Sequence, residues 1–120
     1  LIIAVIEKKL GLFLGDQDIF VNAVGGVRAI EPASDLAIVA ALLSSFMDKR
    51  ISPGTLIFGE LGLAGEVRRV SRAEARINEA VRLGFDRIIG PSSNLTEIRL
   101  PGVSILGISR INELTQLLFD

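Results

Sequence analysis

Leu36–Met47 is a run of twelve residues with no charge, no glycine and no proline, and only Ser44 and Ser45 interrupt its apolar character. Leucine, alanine and methionine favour the helix. A helix that is apolar on nearly every face belongs inside a protein and not on its surface. The run is well short of the roughly 20 residues a membrane crossing needs, so the rest of the chain has to cover it. Its boundaries are marked. Glu31-Pro32 breaks what precedes it and pre-sets a first helical turn, and Asp35 complements the positive end of the helix dipole. Asp48-Lys49-Arg50 returns the chain to solvent. This helix therefore sits at the middle of a domain.

The flanking sequence predicts what covers it. Ile2, Ile3, Ile6 and Leu10 share one helical face before Gly11. Asp18–Val24 and Val27–Ile30 read as two strands of a hairpin around Gly25-Gly26. Ser52-Pro53-Gly54 is a loop, and Thr55–Glu60 and Glu66–Val70 are β-rich. Ser71-Arg72-Ala73-Glu74 fits a capping box, with Ser71 as N-cap. The helix that follows carries Ala73, Ile77, Ala80, Val81 and Gly84 on one stripe, and Arg72, Arg76 and Glu79 on another. Phe85–Gly90 is a strand closed by the turn Pro91-Ser92-Ser93-Asn94. Leu95–Leu100 is a short helix or turn and Val103–Ile108 a strand. Ser109 caps a last helix over Ile111–Phe119. Helices and strands alternate throughout, which predicts an α/β or α+β domain with a mixed sheet packed with helices around the buried central helix. At 120 residues and 49% hydrophobic composition, 1–120 is one domain with a real core. The start at Leu1, already inside an apolar pattern, reads as a piece of a longer protein.

The residue inventory excludes several chemistries. There is no His, so imidazole catalysis, histidine metal ligands and a Ser-His-Asp triad are out. There is no Cys, so thiol nucleophiles, disulfides and zinc-thiolate sites are out too, which fits a cytoplasmic protein. The opening apolar stretch is cut off by Glu7-Lys8-Lys9, so neither a signal peptide nor a membrane segment is expected. The net charge is −1 but it is segregated. Residues 49–76 hold six basic and three acidic side chains, and the remainder holds seven basic and eleven acidic ones.

Two stretches carry a family resemblance. They are Gly25-Gly26-Val27-Arg28-Ala29-Ile30-Glu31-Pro32-Ala33-Ser34-Asp35-Leu36 and Phe58-Gly59-Glu60-Leu61-Gly62-Leu63-Ala64-Gly65-Glu66-Val67-Arg68. With Gly84-Phe85, Pro91-x-x-Asn94 and the leading Asp16–Asn22, they resemble the Lon protease domain. The closer likeness is to the C-terminal Lon-like domain of the bacterial RadA (Sms) family of RecA paralogues. It is strongest over residues 16–94. It implies a Lon catalytic-domain-like fold at the end of a RecA-type ATPase.

In Lon proteases the turn before the central helix presents a nucleophilic serine, and a lysine on a later helix is its base. The resemblance puts those positions on Ala33 and Arg76. Ala33 offers no nucleophile. A guanidinium stays protonated and takes no proton. Ser34 is about 100° further round a helix. Asp35 stands where the family has a glycine, adding a carboxylate where a substrate chain would run. Arg69 stands where the RadA pattern has a proline.

The resemblance thus implies a non-catalytic module that binds DNA and helps build a hexameric ring acting in recombinational repair and branch migration, with RecA as a further partner. ATP with magnesium, and zinc, belong by the same resemblance to other domains of such proteins. Neither a phosphate-binding loop nor zinc-binding cysteines occur here. The expected DNA contacts are Arg28, Arg68, Arg69, Arg72 and Arg76, with Lys8 and Lys9 extending the track. With no Trp or Tyr to stack on bases, binding would be electrostatic, sequence-independent and salt-sensitive. The readings set against this are an active Ser-Lys peptidase using Ser34 or Ser71, and a ring scaffold without DNA contacts.

Overall fold

The computed structural model describes residues 32–119. Pro32–Ser34 forms one 3-10 turn that leads directly into α1, Asp35–Met47. Three short strands follow: β1 (Thr55–Ile57), β2 (Glu60–Leu61) and β3 (Val67–Arg68). Then come α2 (Ala73–Arg82), β4 (Arg87–Pro91), α3 (Ser92–Leu95) and β5 (Ser104–Ile108). A 3-10 turn, Ile111–Glu113, and the short α4, Thr115–Leu118, close the described chain. The expected amino-terminal helix and hairpin, with Lys8, Lys9 and Arg28, lie outside the described residues.

β1, β4 and β5 form a parallel sheet in the order β1-β4-β5, with Ile88 opposite Leu56 on one side and Ile105 on the other. β2 and β3 form a separate antiparallel hairpin, registered Glu60 to Arg68 and Leu61 to Val67. Alternation along β4 divides the core. Ile89 joins a cluster with Leu36, Val39, Leu42 and Leu43 of α1 and with Ile111, Leu114 and Leu118. Ile88, its neighbour, joins Ala33, Phe58, Val70, Ala73, Ile77 and Leu95. Strand side chains point alternately to opposite faces, so the parallel sheet has α1 and the carboxy-terminal turns on one face and α2 on the other. The α/β class is as the sequence predicts. Leu36, Val39, Leu42 and Leu43 are fully buried, each contributing about 1.5–3 kcal/mol of transfer free energy. The apolar character of α1 does not extend to burial on every face, since Phe46 and Met47 reach solvent at its end.

Several expected elements differ from the structure for identifiable reasons. The run Thr55–Glu60 divides at Gly59, which has φ +152° and docks on the turn before α1. Its N–H donates to the Ala33 carbonyl at 2.9 Å, and its carbonyl accepts from the Leu36 N–H at 3.0 Å. A backbone bracketed in this way leaves the ladder and starts a new strand. Ser71 does not cap α2. The helix starts at Ala73 after Arg72, which takes the left-handed conformation at φ 60°, and no side chain caps it. With Arg72 between Ser71 and the helix, the Ser71 hydroxyl is one residue too early to act as the cap. The expected strand Phe85–Gly90 is shifted to Arg87–Pro91, because Asp86 and Arg87 both donate their N–H to the Gly54 carbonyl. Pro91-Ser92-Ser93-Asn94 is not a turn followed by a helix: α3 starts at Ser92. The last helix is split by the Ile111–Glu113 turn, where the Glu113 carboxylate accepts the N–H groups of Ser109 and Arg110. The Ser109 hydroxyl instead meets that of Ser92 at 2.7 Å. Among the described residues no helix is long and apolar enough to cross a membrane.

Candidate nucleic-acid interface

Residues 69–71 form a ridge between two clefts. The smaller, of about 250 Å³, is lined by Pro32, Ala33, Glu60, Arg69, Val70, Ser71 and Arg76. The larger, of about 580 Å³, is lined by Arg69, Val70, Ser71, Arg72, Ala73, Glu74, Asn94 and Ile98. The fold brings these walls together from distant segments. The 3-10 turn delivers Ala33, β2 delivers Glu60, the chain between β3 and α2 delivers Arg69 and Arg72, and the first turn of α2 delivers Arg76. Ala33 and Arg76, the positions of the expected dyad, thus open onto one cleft.

Ala33 is buried against Phe58 and Ile88. Ser34, one residue on, does not line the cleft. Arg76 is half-buried, and its Nε donates to the Ser71 carbonyl at 3.3 Å. The hydroxyl lining both clefts is that of Ser71, and the cation beside it is a guanidinium, which is no proton acceptor. Asp35, expected to obstruct a substrate path, is engaged elsewhere. Its carboxylate accepts the Leu61 N–H at 3.1 Å and ties α1 to β2. Burial pushes its pKa up, the Leu61 hydrogen bond opposes that, and the Glu60 charge adds to the rise.

Of the described arginines expected to contact DNA, Arg69, Arg72 and Arg76 converge on the clefts and Arg68 does not. Arg68 is exposed and makes a two-pronged pair with Glu66, Nε at 3.2 Å and Nη2 at 3.0 Å from the same carboxylate oxygen. Its own backbone N–H, then Arg68, then the Ala64 N–H hold the Glu66 carboxyl below the usual range. The clefts also contain Glu60 and Glu74, so the positive surface is short and bounded. Guanidinium forks suit phosphate oxygens, which they can grip with two parallel hydrogen bonds. Among the described residues no group of three or more His, Cys, Asp or Glu is placed to hold a metal ion.

Asn94 is the site residue to which sequence reasoning gave no role. The Pro91-x-x-Asn94 spacing singled it out only as part of a turn. In the structure its side chain bonds both backbone groups of Val70, at the crest of the ridge. A contact across 24 residues leaves no local sequence signal.

Comparison with known proteins adds two findings. The family model described as ChlI, subunit ChlI of Mg-chelatase, matches residues 3–94. That span takes in both clefts' main walls and ends at Asn94. Among curated proteins, the chain is 48% identical over 120 residues to the DNA repair protein RadA of Streptococcus pneumoniae, covering 99% of this chain and 29% of that protein. It is 46% identical to the protein of that name from Halalkalibacterium halodurans and 47% identical to that from Bacillus subtilis, over 114 residues in each case, with 94% of this chain and 25% of each relative covered. The chain therefore spans about a quarter of the length of the curated relatives it matches.

Proposed function

The chain belongs to the ChlI family, and within it we propose that this chain serves DNA repair, the function named for its RadA relatives, as a non-proteolytic module that holds DNA by its phosphates. The observation that carries the reading is the convergence of Arg69 and Arg76 on the cleft that Ala33 lines, and of Arg69 and Arg72 on the cleft adjoining it. The arrangement keeps the outline of a Ser-Lys active site, as the Lon-like resemblance implies, and replaces its nucleophile and base with a methyl group and a permanent cation. Such a surface grips an anionic chain without cleaving anything. Bases need not be read, because guanidinium–phosphate contacts carry no sequence information. In this reading Arg28, Lys8, Lys9 and Arg68 extend the contact beyond the clefts. The module self-associates in a hexameric ring, the parent's RecA-type ATPase drives branch migration alongside RecA, and ATP and zinc are held outside this chain.

The test separates binding from the motor. Arg69, Arg72 and Arg76 are replaced together by Ala in the intact protein. Binding to a fluorescent single-stranded oligonucleotide of mixed sequence, and ATPase activity without DNA, are then measured. Exposed ion pairs are each worth about 0.2–1 kcal/mol, so the affinity is expected to fall by roughly threefold to a hundredfold while basal ATPase is unchanged. Unaltered DNA affinity would refute the assignment of these arginines.

A further inference from the structure

The ridge between the clefts is held from behind. Val70 lies at its crest with its side chain buried among Phe58, Ile77 and Leu95. Its N–H donates to Asn94 Oδ1 at 2.8 Å, and its carbonyl accepts from Asn94 Nδ2 at 3.1 Å. Two such bonds between one residue and one partner are what a hydrogen-bonded antiparallel pair makes. The Asn94 carboxamide acts as a one-residue strand where the β2–β3 ladder has already ended at Arg68. Only a primary carboxamide offers a donor and an acceptor side by side. A carboxylate has no donor, and a hydroxyl has one atom for both tasks.

The consequence reaches all three arginines. Val70 points inward, so its neighbours Arg69 and Ser71 point outward into the clefts. Arg72 follows in its left-handed turn, and Arg76 reaches back to the Ser71 carbonyl. Fixing both backbone groups of Val70 therefore fixes the origin of Arg69, the path into Arg72 and the oxygen on which Arg76 leans. Asn94 itself sits on α3, immediately after β4, whose last residue, Pro91, is registered opposite Ile108. The clamp is thus anchored to the central sheet.

We propose that Asn94 is the positioning residue of this interface: it sets the spacing of the Arg69, Arg72 and Arg76 guanidiniums by clamping Val70, so that phosphates meet a surface already arranged. This rests on the reading of the clefts as a phosphate-binding surface. Arranging the surface in advance raises affinity by removing the ordering cost at the moment of binding.

The experiment is a double-mutant cycle in the intact protein, read by binding of a fluorescent single-stranded oligonucleotide, with Asn94→Ala, Arg69→Ala and the double variant. Asn94→Ala is expected to weaken binding about two- to fivefold, comparable to the loss of one exposed guanidinium contact. In the Arg69→Ala background the same change is expected to cost less, because one of the groups it positions is gone. Amide exchange at Val70 is expected to accelerate. A wild-type affinity for Asn94→Ala, or effects that simply multiply, would overturn the proposal. A multiplying effect would mark Asn94 as an independent contact. If the triple arginine variant binds as wild type, the phosphate reading itself falls, and the two failures are distinguishable. Should Asn94→Ala not fold, Asn94→Gln, which keeps the carboxamide but displaces it by one methylene, carries the same cycle, with a smaller loss and the same sign of coupling expected.

Discussion

Replacing Gly59 by alanine probes the joint on which the site is built. This glycine lies between β1 and β2 and brackets the Ala33 turn with two backbone hydrogen bonds. At φ +152° it occupies a region that side chains rarely enter. A Cβ there would stand 3.2 Å from Val67 Cγ1, 3.3 Å from Leu36 Cδ2 and 3.4 Å from Pro91 Cγ. All three neighbours belong to packed walls, so they cannot simply swing away. Backbone strain of this kind costs about 1–3 kcal/mol, and overpacking by one methyl adds about 1–3 kcal/mol. Added as independent contributions, the two amount to about 2–6 kcal/mol. For a domain of this size each kcal/mol lowers the melting midpoint by roughly 3–6 °C, so a fall of at least about 6 °C is expected. The assay is thermal unfolding followed by far-ultraviolet circular dichroism, with wild type and variant side by side. A midpoint within about 2 °C of wild type would refute the reasoning, because it would mean that neither the φ value nor the three contacts constrain the position.

The remaining predictions concern charge and chemistry. Asp35 has a raised pKa, so its carboxyl favours folding below the ordinary value of 3.8 and loses that contribution as pH rises through its folded value. Asp35→Asn is therefore expected to unfold at higher denaturant concentration than wild type near pH 7, with the gain vanishing in acid. Glu66 is shifted the other way, and its contribution is present above the ordinary value of 4.5 and lost as pH falls through the folded value. Glu66→Gln is expected to loosen the hairpin at neutral pH, seen as faster amide exchange at Ala64, and to match wild type in acid. Ala33→Ser restores a hydroxyl to the cleft but leaves Arg76 unable to accept its proton. No labelling by a serine-reactive phosphonate is expected, and labelling would show that another group serves as base.

What the sequence conveyed depended on the range of each interaction. α1 was legible as an unbroken apolar run between marked boundaries, and the inward stripe of α2 because its signal repeats every three or four residues within one element. β5 was legible because a five-residue run between turns has little else to become. The division of Thr55–Glu60 was not, since Gly59 kinks only because Ala33 and Leu36 offer hydrogen-bond partners from a distant turn. Ser71 carries a local capping signature, but the route from β3 into α2 puts Arg72 in the left-handed region and removes the geometry that signature needs. The spacing puts Arg72 and Arg76 on one helical stripe, but Arg72 stands before the helix in the left-handed region, so only Arg76 and Glu79 of that stripe are helical. The meeting of Arg76 with Ala33 across one cleft could be stated only through the family resemblance, and the clamp by Asn94 not at all.

The central claim is that the three arginines of two adjoining clefts, one of which opens on a chemically emptied turn, hold DNA through its phosphates. The salt dependence of DNA affinity tests it most directly. Each phosphate contact contributes about 0.7 to the log–log slope for single strands and about 0.9 for duplex. The intact protein and its Arg69→Ala/Arg72→Ala/Arg76→Ala variant are titrated with the same oligonucleotide across a range of salt concentrations. The account predicts that the variant's slope is shallower by about 2 units on single strands, on the basis of one phosphate per arginine. Equal slopes for the two proteins would contradict it.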